Sequence, residues 1–318
     1  MTEIKNITVF GAGTMGHGIA QTAAMNGFKV CLCDPAPGLL DRGRTMMEKS
    51  LNFMVDFGRL TQAQAEAVLP RVTFEADSQK AAEKAEFIFE AVFEDLQVKR
   101  DLFKSLGDWT GPEVILASNT SSFDISLLAQ VTRHPHRVIG AHWFHPAQIT
   151  PALEVIPTDQ TTPEVTQTVL ALAEKMGKFA TRCTNHPGFV ANRIQFAMMA
   201  EALAIVEEGL ATPEEVDRIV KASFGFRLSC FGPFEIADQA GMDVYKSIFA
   251  SLYETLGREQ FRPPKILDQM VEENQLGLKT SRGFYDYGEG GLAALYERRD
   301  LMFSERLKLF ENENIKKK

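Results

Sequence analysis

Up to about residue 185 the chain alternates between two patterns: short apolar, β-branched runs, and stretches whose apolar positions recur every three to four residues. The runs are ITVFG, KVCLCD, RVTF, EFIFEAV, VILASN and RVIGAH, each leading into a polar or turn-forming cluster. Such runs predict strands, and the periodic stretches between them, such as 96–106, predict helices. Residues 151–156 and 178–183 read as further strands separated by a helix over 163–176. This alternation implies right-handed βαβ crossovers and a Rossmann-type, doubly wound, mostly parallel sheet. At Asn185-His186-Pro187-Gly188 the pattern changes and stays helical. Residues 189–209 predict one long helix, and Thr212-Pro213-Glu214-Glu215 opens another with a capping hydroxyl, an N1 proline and early acids. Helical stretches continue over 234–240, 244–256, 265–273 and 291–312. The expected organisation is an α/β domain over 1–185 followed by an all-α domain over 186–318.

The first strand breaks into Gly11-Ala12-Gly13-Thr14-Met15-Gly16. Gly11 permits the tight turn, Gly13 carries no side chain to block a pyrophosphate, and Gly16 allows close packing of the next helix. The N–H groups at the start of that helix, around Thr14 and Met15, are suited to face phosphate oxygens. A second strand ends in Asp34, eighteen residues past Gly16. An acid there hydrogen-bonds ribose hydroxyls and repels a 2′-phosphate, so NAD is the expected cofactor.

Composition removes several classes of function. At 318 residues and 45% apolar content the chain is long enough for about two ordinary globular domains. No window approaches the roughly 18 uninterrupted apolar residues of a membrane span. The N-terminus leads directly into the first strand, which predicts no targeting leader and a cytoplasmic protein. A net charge of −8 argues against nucleic acid as a partner, and the terminal Lys316-Lys317-Lys318 run reads as a solvated tail. Cys31 and Cys33 lie two apart on one strand, on one face, and read as small buried thiols. Neither the four cysteines nor the spacing of His134, His136, His142 and His145 fits a usual metal-ligand pattern, so no metal is expected.

Ligands of doubly wound sheets bind beyond the C-terminal strand ends. Those ends carry Ser118-Asn119-Thr120-Ser121-Ser122 and His142-Trp143-Phe144-His145-Pro146, with Glu154 following and Asn192-Arg193 just past the Pro-Gly hinge. With G-A-G-T-M-G-H-G-I-A-Q, F-E-A-V-F-E-D-L-Q-V-K, S-N-T-S-S, P-G-F-V-A-N-R, G-P-F-E-I-A-D and K-T-S-R-G-F-Y-D-Y, the chain resembles the 3-hydroxyacyl-CoA dehydrogenases of the 3-hydroxybutyryl-CoA type. The resemblance runs in order from Ile7 to about Tyr287. It implies His142 as catalytic base, Glu154 as its orienting partner, and Ser121 and Asn192 as groups that hold the reacting oxygen and the base in line. It also implies Glu94 and Lys99 near the nicotinamide ribose, Asn119 beside the cofactor, a homodimer and a place in fatty acid metabolism. The chemistry is consistent: oxidising a secondary alcohol requires loss of a hydride and a proton, and a carboxylate-backed imidazole suits the proton.

Two departures bear on substrate. The family's H-F-F-N-P reads H-W-F-H-P here, which places His145 where asparagine is usual. The family's CoA-facing lysines correspond to Val55-Asp56-Phe57-Gly58-Arg59-Leu60, where only Arg59 is positive. Arg227, near the expected substrate mouth, could pair with a substrate carboxylate or simply end a helix. The expected reaction is NAD-dependent oxidation of an L-3-hydroxyacyl-CoA, or its reverse. The alternatives are the same chemistry on a 3-hydroxy acid or alcohol lacking CoA, and a non-catalytic dinucleotide-binding or structural protein.

Overall fold

The computed structural model describes residues 4–288 and 291–315, so the Lys316-Lys317-Lys318 run lies outside the described residues. The chain forms two compact units, Met1–Met199 and Ala200–Lys318. The first holds strands β1 (Asn6–Phe10), β2 (Lys29–Cys33), β3 (Val72–Glu75), β4 (Phe87–Glu90), β5 (Ile115–Ser118), β6 (Val138–Trp143), β7 (Ala152–Pro157) and β8 (Phe179–Arg182). Its helices are α1 (Gly16–Met25), α2 (Leu39–Asp56), α3 (Gln62–Glu66), α4 (Ser78–Glu83), α5 (Leu96–Trp109), α6 (Ser126–Ala129) and α7 (Pro163–Lys175). A further helix, α8 (Ala191–Glu207), crosses the division.

The eight strands form one sheet in the order β3-β2-β1-β4-β5-β6-β7-β8. Pairing is parallel through β6, antiparallel between β6 and β7, and parallel again to β8. The expected doubly wound, mostly parallel sheet is therefore present. Its order reverses between β1 and β4, the crevice where such sheets bind nucleotides. Both faces are covered: Phe87 and Phe89 of β4 enter one apolar cluster with Ile19 and Trp143, and Ile88 enters another with Phe103 and Ile125. Two-sided burial is why these strands read as continuous apolar runs rather than alternating ones. Cys33 is buried as expected, but Cys31 is only half-buried, packing at the margin of the apolar cluster that encloses Cys33. The four cysteines are free.

The second unit is helical: α9 (Pro213–Ala222), α10 (Phe224–Leu228), α11 (Pro233–Ala240), α12 (Met242–Leu256), α13 (Lys265–Glu272) and α14 (Gly291–Ile315). Thr212 caps α9 reciprocally with Glu215, as its sequence requires. Ala237, Met242, Leu267 and Met270 form a small buried cluster against Tyr245, Phe249 and Phe284. No helix among the described residues is long and apolar enough to cross a membrane.

Candidate active site

The glycine-rich turn leaves β1 at Gly11, whose φ of +98° only glycine adopts readily; a Cβ there would lie 2.4 Å from the Ala91 carbonyl oxygen. A Cβ on Gly16 would fall closer still, 1.7 Å from the Gly11 carbonyl oxygen, so the turn and α1 nest without side chains between them. At Gly13 a Cβ would meet nothing within 4 Å, and the residue borders a cavity of about 860 Å³. His17 braces the turn from behind: its buried Nδ1 donates to the Gly13 carbonyl at 2.8 Å. Burial, partly offset by that bond, and the neighbouring His145 and Arg42 hold its pKa below the usual imidazole value. Asp34 is buried at the end of β2 and accepts from the amides of Ala12 (2.9 Å) and Ala36 (3.0 Å) while lining the same cavity. An open glycine, an exposed turn and an acid at the ribose position together fit a dinucleotide.

Most of the residues singled out from sequence border this one cavity: Gly11, Gly13, Thr14, Met15, Asp34, Glu94, Lys99, Asn119, Ser121, His142, His145 and Asn192. Gly16 packs behind the turn instead. Arg59 and Arg227 are not among its lining residues. Arg227 borders a separate cleft of about 330 Å³ in the helical unit, beside Arg299, Asp300 and Phe303.

The antiparallel register of β6 and β7 sets His142 directly opposite Glu154. His142 Nδ1 lies 2.7 Å from Glu154 Oε2, with both side chains buried. Glu154 Oε1 accepts from the backbone N–H groups of Val190 (3.0 Å) and Ala191 (2.9 Å) and from the Cys183 thiol (3.7 Å). Burial pushes the Glu154 carboxyl up, but the His142 bond and the two amides outweigh it and hold it below the usual value. An ionised Glu154 requires Nδ1 to carry the proton, which leaves Nε2 to face a ligand. The imidazole sits between the rings of Phe144 (4.6 Å) and Phe189 (5.7 Å). Phe189 adopts φ +48°, unusual for a bulky residue; this turn places its ring on His142 while the next two amides reach Glu154.

The Ser118–Ser122 turn follows β5. Asn192 Nδ2 donates to the Ser121 carbonyl (3.0 Å), and the Trp143 amide donates to Asn119 Oδ1 (2.9 Å), tying the ends of β5, β6 and α8 together. Glu94 Oε1 accepts from Thr120 Oγ1 (2.6 Å), the Ser121 amide (3.0 Å) and Ser122 Oγ (3.1 Å). Lys99 is almost wholly buried and its ammonium lies 2.6 Å from Glu90 and 3.1 Å from Glu94. Burial raises the Glu94 pKa, but the Thr120 hydrogen bond and the Lys99 charge bring it below the usual carboxylate value.

Sequence reasoning missed Glu90, Lys178, His17 and Phe189. Glu90 is completely buried at the end of β4 and also accepts from Ser118 Oγ (2.6 Å) and the Val92 amide (2.9 Å). An acid closing the apolar run FIFE was the available signal. Buried Lys178 donates to the carbonyls of Ala147 (2.5 Å) and Thr150 (2.8 Å), pinning the loop that carries His145; burial brings its pKa down to about 8.

Residues 6–186 match the model of the 3-hydroxyacyl-CoA dehydrogenase NAD binding domain, and 188–287 match that family's C-terminal domain. The chain belongs to the 3-hydroxyacyl-CoA dehydrogenase family. It is accordingly an NAD-dependent oxidoreductase. A probable 3-hydroxybutyryl-CoA dehydrogenase of Deinococcus radiodurans is 43% identical over 279 residues, 88% of this chain and 99% of that one. A 3-hydroxyacyl-CoA dehydrogenase structure from Archaeoglobus fulgidus superposes with a TM-score of 0.80 at 28% identity, covering 97% of this chain and 99% of its own. A Mesorhizobium japonicum 5-formyl-3-hydroxy-2-methylpyridine 4-carboxylate 5-dehydrogenase is 31% identical over 297 residues, 93% of this chain and 95% of that one. Helix α14 lies beyond the C-terminal family model, which ends at 287.

Proposed function

We propose that this protein oxidises an L-3-hydroxyacyl-CoA, such as 3-hydroxybutyryl-CoA, to the 3-ketoacyl-CoA, or runs the reverse reaction. Family membership supports the reaction class. The observation that carries the mechanism is the buried His142–Glu154 pair on the wall of the cavity that also contains the glycine-rich turn. His142 Nε2 takes the hydroxyl proton as the carbinol carbon gives up its hydride, and Glu154 stabilises the imidazolium that results. The bound nicotinamide supplies the hydride acceptor. Ser121 and Asn192, joined through the Ser121 carbonyl, hold the reacting oxygen towards Nε2. Phe144 and Phe189 keep water from the flanks of the imidazole and so strengthen its interaction with Glu154. The Glu154 hydrogen bonds from Val190 and Ala191 make the carboxylate's position depend on the start of α8. A cytoplasmic homodimer completes this reading, with the exposed Ile248, Leu252 and Leu256 on α12 offering one apolar row for association.

A second reading, a CoA-free substrate, is favoured by one observation. His145 presents an exposed imidazole to the cavity, whereas Arg59, the one cation of the CoA-facing segment, does not line it. The 31% identical relative named for a pyridine carboxylate supports this reading. The deciding experiment follows NADH oxidation with acetoacetyl-CoA and with free acetoacetate at matched concentrations. Turnover confined to the thioester supports the first reading. Turnover with the free acid alone, or with a formylpyridine carboxylate, establishes the second. Tight NADH binding with no turnover on any of these would return the chain to the non-catalytic alternative.

A further inference from the structure

The cavity wall has an uneven charge balance. Two carboxylates, Glu90 and Glu94, share the single ammonium of Lys99. Glu90 is fully buried, and its oxygens are taken by Lys99, Ser118 and the Val92 amide, so it neutralises Lys99 from behind. Glu94 stands in front, its side chain 39% exposed, and its other donors (Thr120, Ser121 and Ser122) are neutral. Among the described residues lining the cavity, Lys99 is the only lysine or arginine. The other titratable groups there are Asp34, His142, His145 and the Cys33 thiol, which burial pushes up to about 12 and so keeps neutral, with Glu154 behind His142. The cluster therefore leaves one unit of negative charge beside Ser121, whose Oγ is 3.4 Å from Glu94 Oε1.

We propose that this surplus charge on Glu94 shifts the balance of affinities towards oxidised nicotinamide cofactor and away from reduced, relative to the same site without it. The inference rests on the function proposed above, in which Ser121 and His142 address the carbinol oxygen and the nicotinamide must therefore lie next to them. Oxidised and reduced cofactor share the same adenosine, riboses and phosphates, and differ in that only the oxidised ring is cationic. A fixed negative charge at the ring end thus separates the two forms, while every contact to the common part cancels in the ratio of their affinities. The charge is held in place by the fold, so no reorganisation offsets its attraction. The consequence is directional. Stabilising the oxidised cofactor tilts the bound-state equilibrium towards ketone reduction and slows release of that cofactor.

The test is to titrate NAD and NADH separately, by calorimetry and by NADH fluorescence, into wild type, Glu94→Gln, Glu94→Asp and Glu90→Gln at one pH. The quantity compared is the ratio of the NADH Kd to the NAD Kd. Glu94→Gln is expected to lower the ratio about tenfold, the scale of a unit charge several ångströms away in a partly buried site. The loss should fall on NAD, with the NADH Kd changing less than twofold. Glu94→Asp keeps the charge and should keep the ratio. Glu90→Gln removes the same unit of charge without touching the cavity, and should move the ratio the same way by less. If only one of the two glutamine variants folds, that one decides. Equal changes in both affinities, or an unchanged ratio, would mean a purely architectural role and would overturn the proposal. A wild type that turns over substrate while the variants leave the ratio alone overturns this inference and spares the function. A wild type that binds neither cofactor overturns both.

Discussion

Glu154 in the first compact unit and Asp238 in the helical one are both buried carboxylates, and the two are used differently. Asp238, in the helical unit, is fully buried and accepts from the Phe284 amide (3.0 Å), the Tyr285 amide (3.0 Å) and the Tyr287 hydroxyl (2.9 Å). These donors come from the loop after α13, so Asp238 at the end of α11 pins that loop to the bundle. Burial and the neighbouring Asp238 raise the Tyr287 pKa in turn, which keeps the phenol a donor. Glu154 commits one oxygen to backbone amides in the same manner, but its second oxygen holds a histidine that borders a cavity. Asp238, held by two backbone amides and a phenol, serves architecture. In the proposed mechanism Glu154 serves chemistry, through the oxygen it reserves for His142.

The largest effect expected from breaking this comparison is at the histidine. His142→Asn removes the proposed proton acceptor and should lower kcat by about 10²–10⁴, the usual worth of a positioned acid/base. The NADH Kd should stay within about twofold of wild type. A folded variant that instead loses NADH binding would show that the imidazole serves the cofactor rather than the proton. Glu154→Gln should cost kcat heavily too, because the amide can present either an acceptor or a donor to Nδ1 and no longer stabilises the imidazolium; steady-state kinetics across pH would record it.

Asp238→Asn tests the other half of the comparison. It should leave kcat per folded molecule nearly unchanged while reducing stability by about 1–3 kcal/mol, the range for leaving a buried partner poorly satisfied. Denaturant unfolding and active-site titration together measure both. A large loss of kcat at full stability would erase the distinction between the two acids.

The smallest effect concerns pH. The folded Glu154 carboxyl titrates below its ordinary value of 4.5. Its contribution to stability is therefore complete above that value and is lost as pH falls through the lower folded one. Unfolding midpoints measured from pH 6 down to about 3 should fall less steeply in Glu154→Gln than in wild type. A steeper fall would mean that the native carboxyl is raised rather than lowered.

Much of this was legible in local sequence. The glycine-rich turn, Asp34 and the strand ends depend on neighbours within a few residues, and such features survive being read one residue at a time. Lys99 was placed near the ribose by resemblance, but its burial between Glu90 and Glu94 depends on α5 folding its first turn back onto the end of β4. Glu90 looked like one polar interruption of an apolar strand, because nothing local reveals that a lysine nine positions later covers it. Arg59 and Arg227 show the converse: residue type suggested ligand contact, while their positions outside the cavity lining were decided by packing.

What the chain determined by itself was the alternation of buried strands and helices, and with it a parallel sheet whose crevice binds a dinucleotide. Hydrophobic periodicity and backbone sterics act over short distances and leave few other ways to bury those runs. What only the tertiary structure decided was the polarity of β7. A strand's direction relative to its neighbour is set by how the intervening loop returns, and here the antiparallel return brings residues twelve apart face to face. The same holds for Phe189, whose left-handed turn delivers two amides to Glu154 and a ring to His142 at once. Contacts of that kind exist only when distant segments have docked, because no single segment holds enough of the donors to satisfy a buried charge.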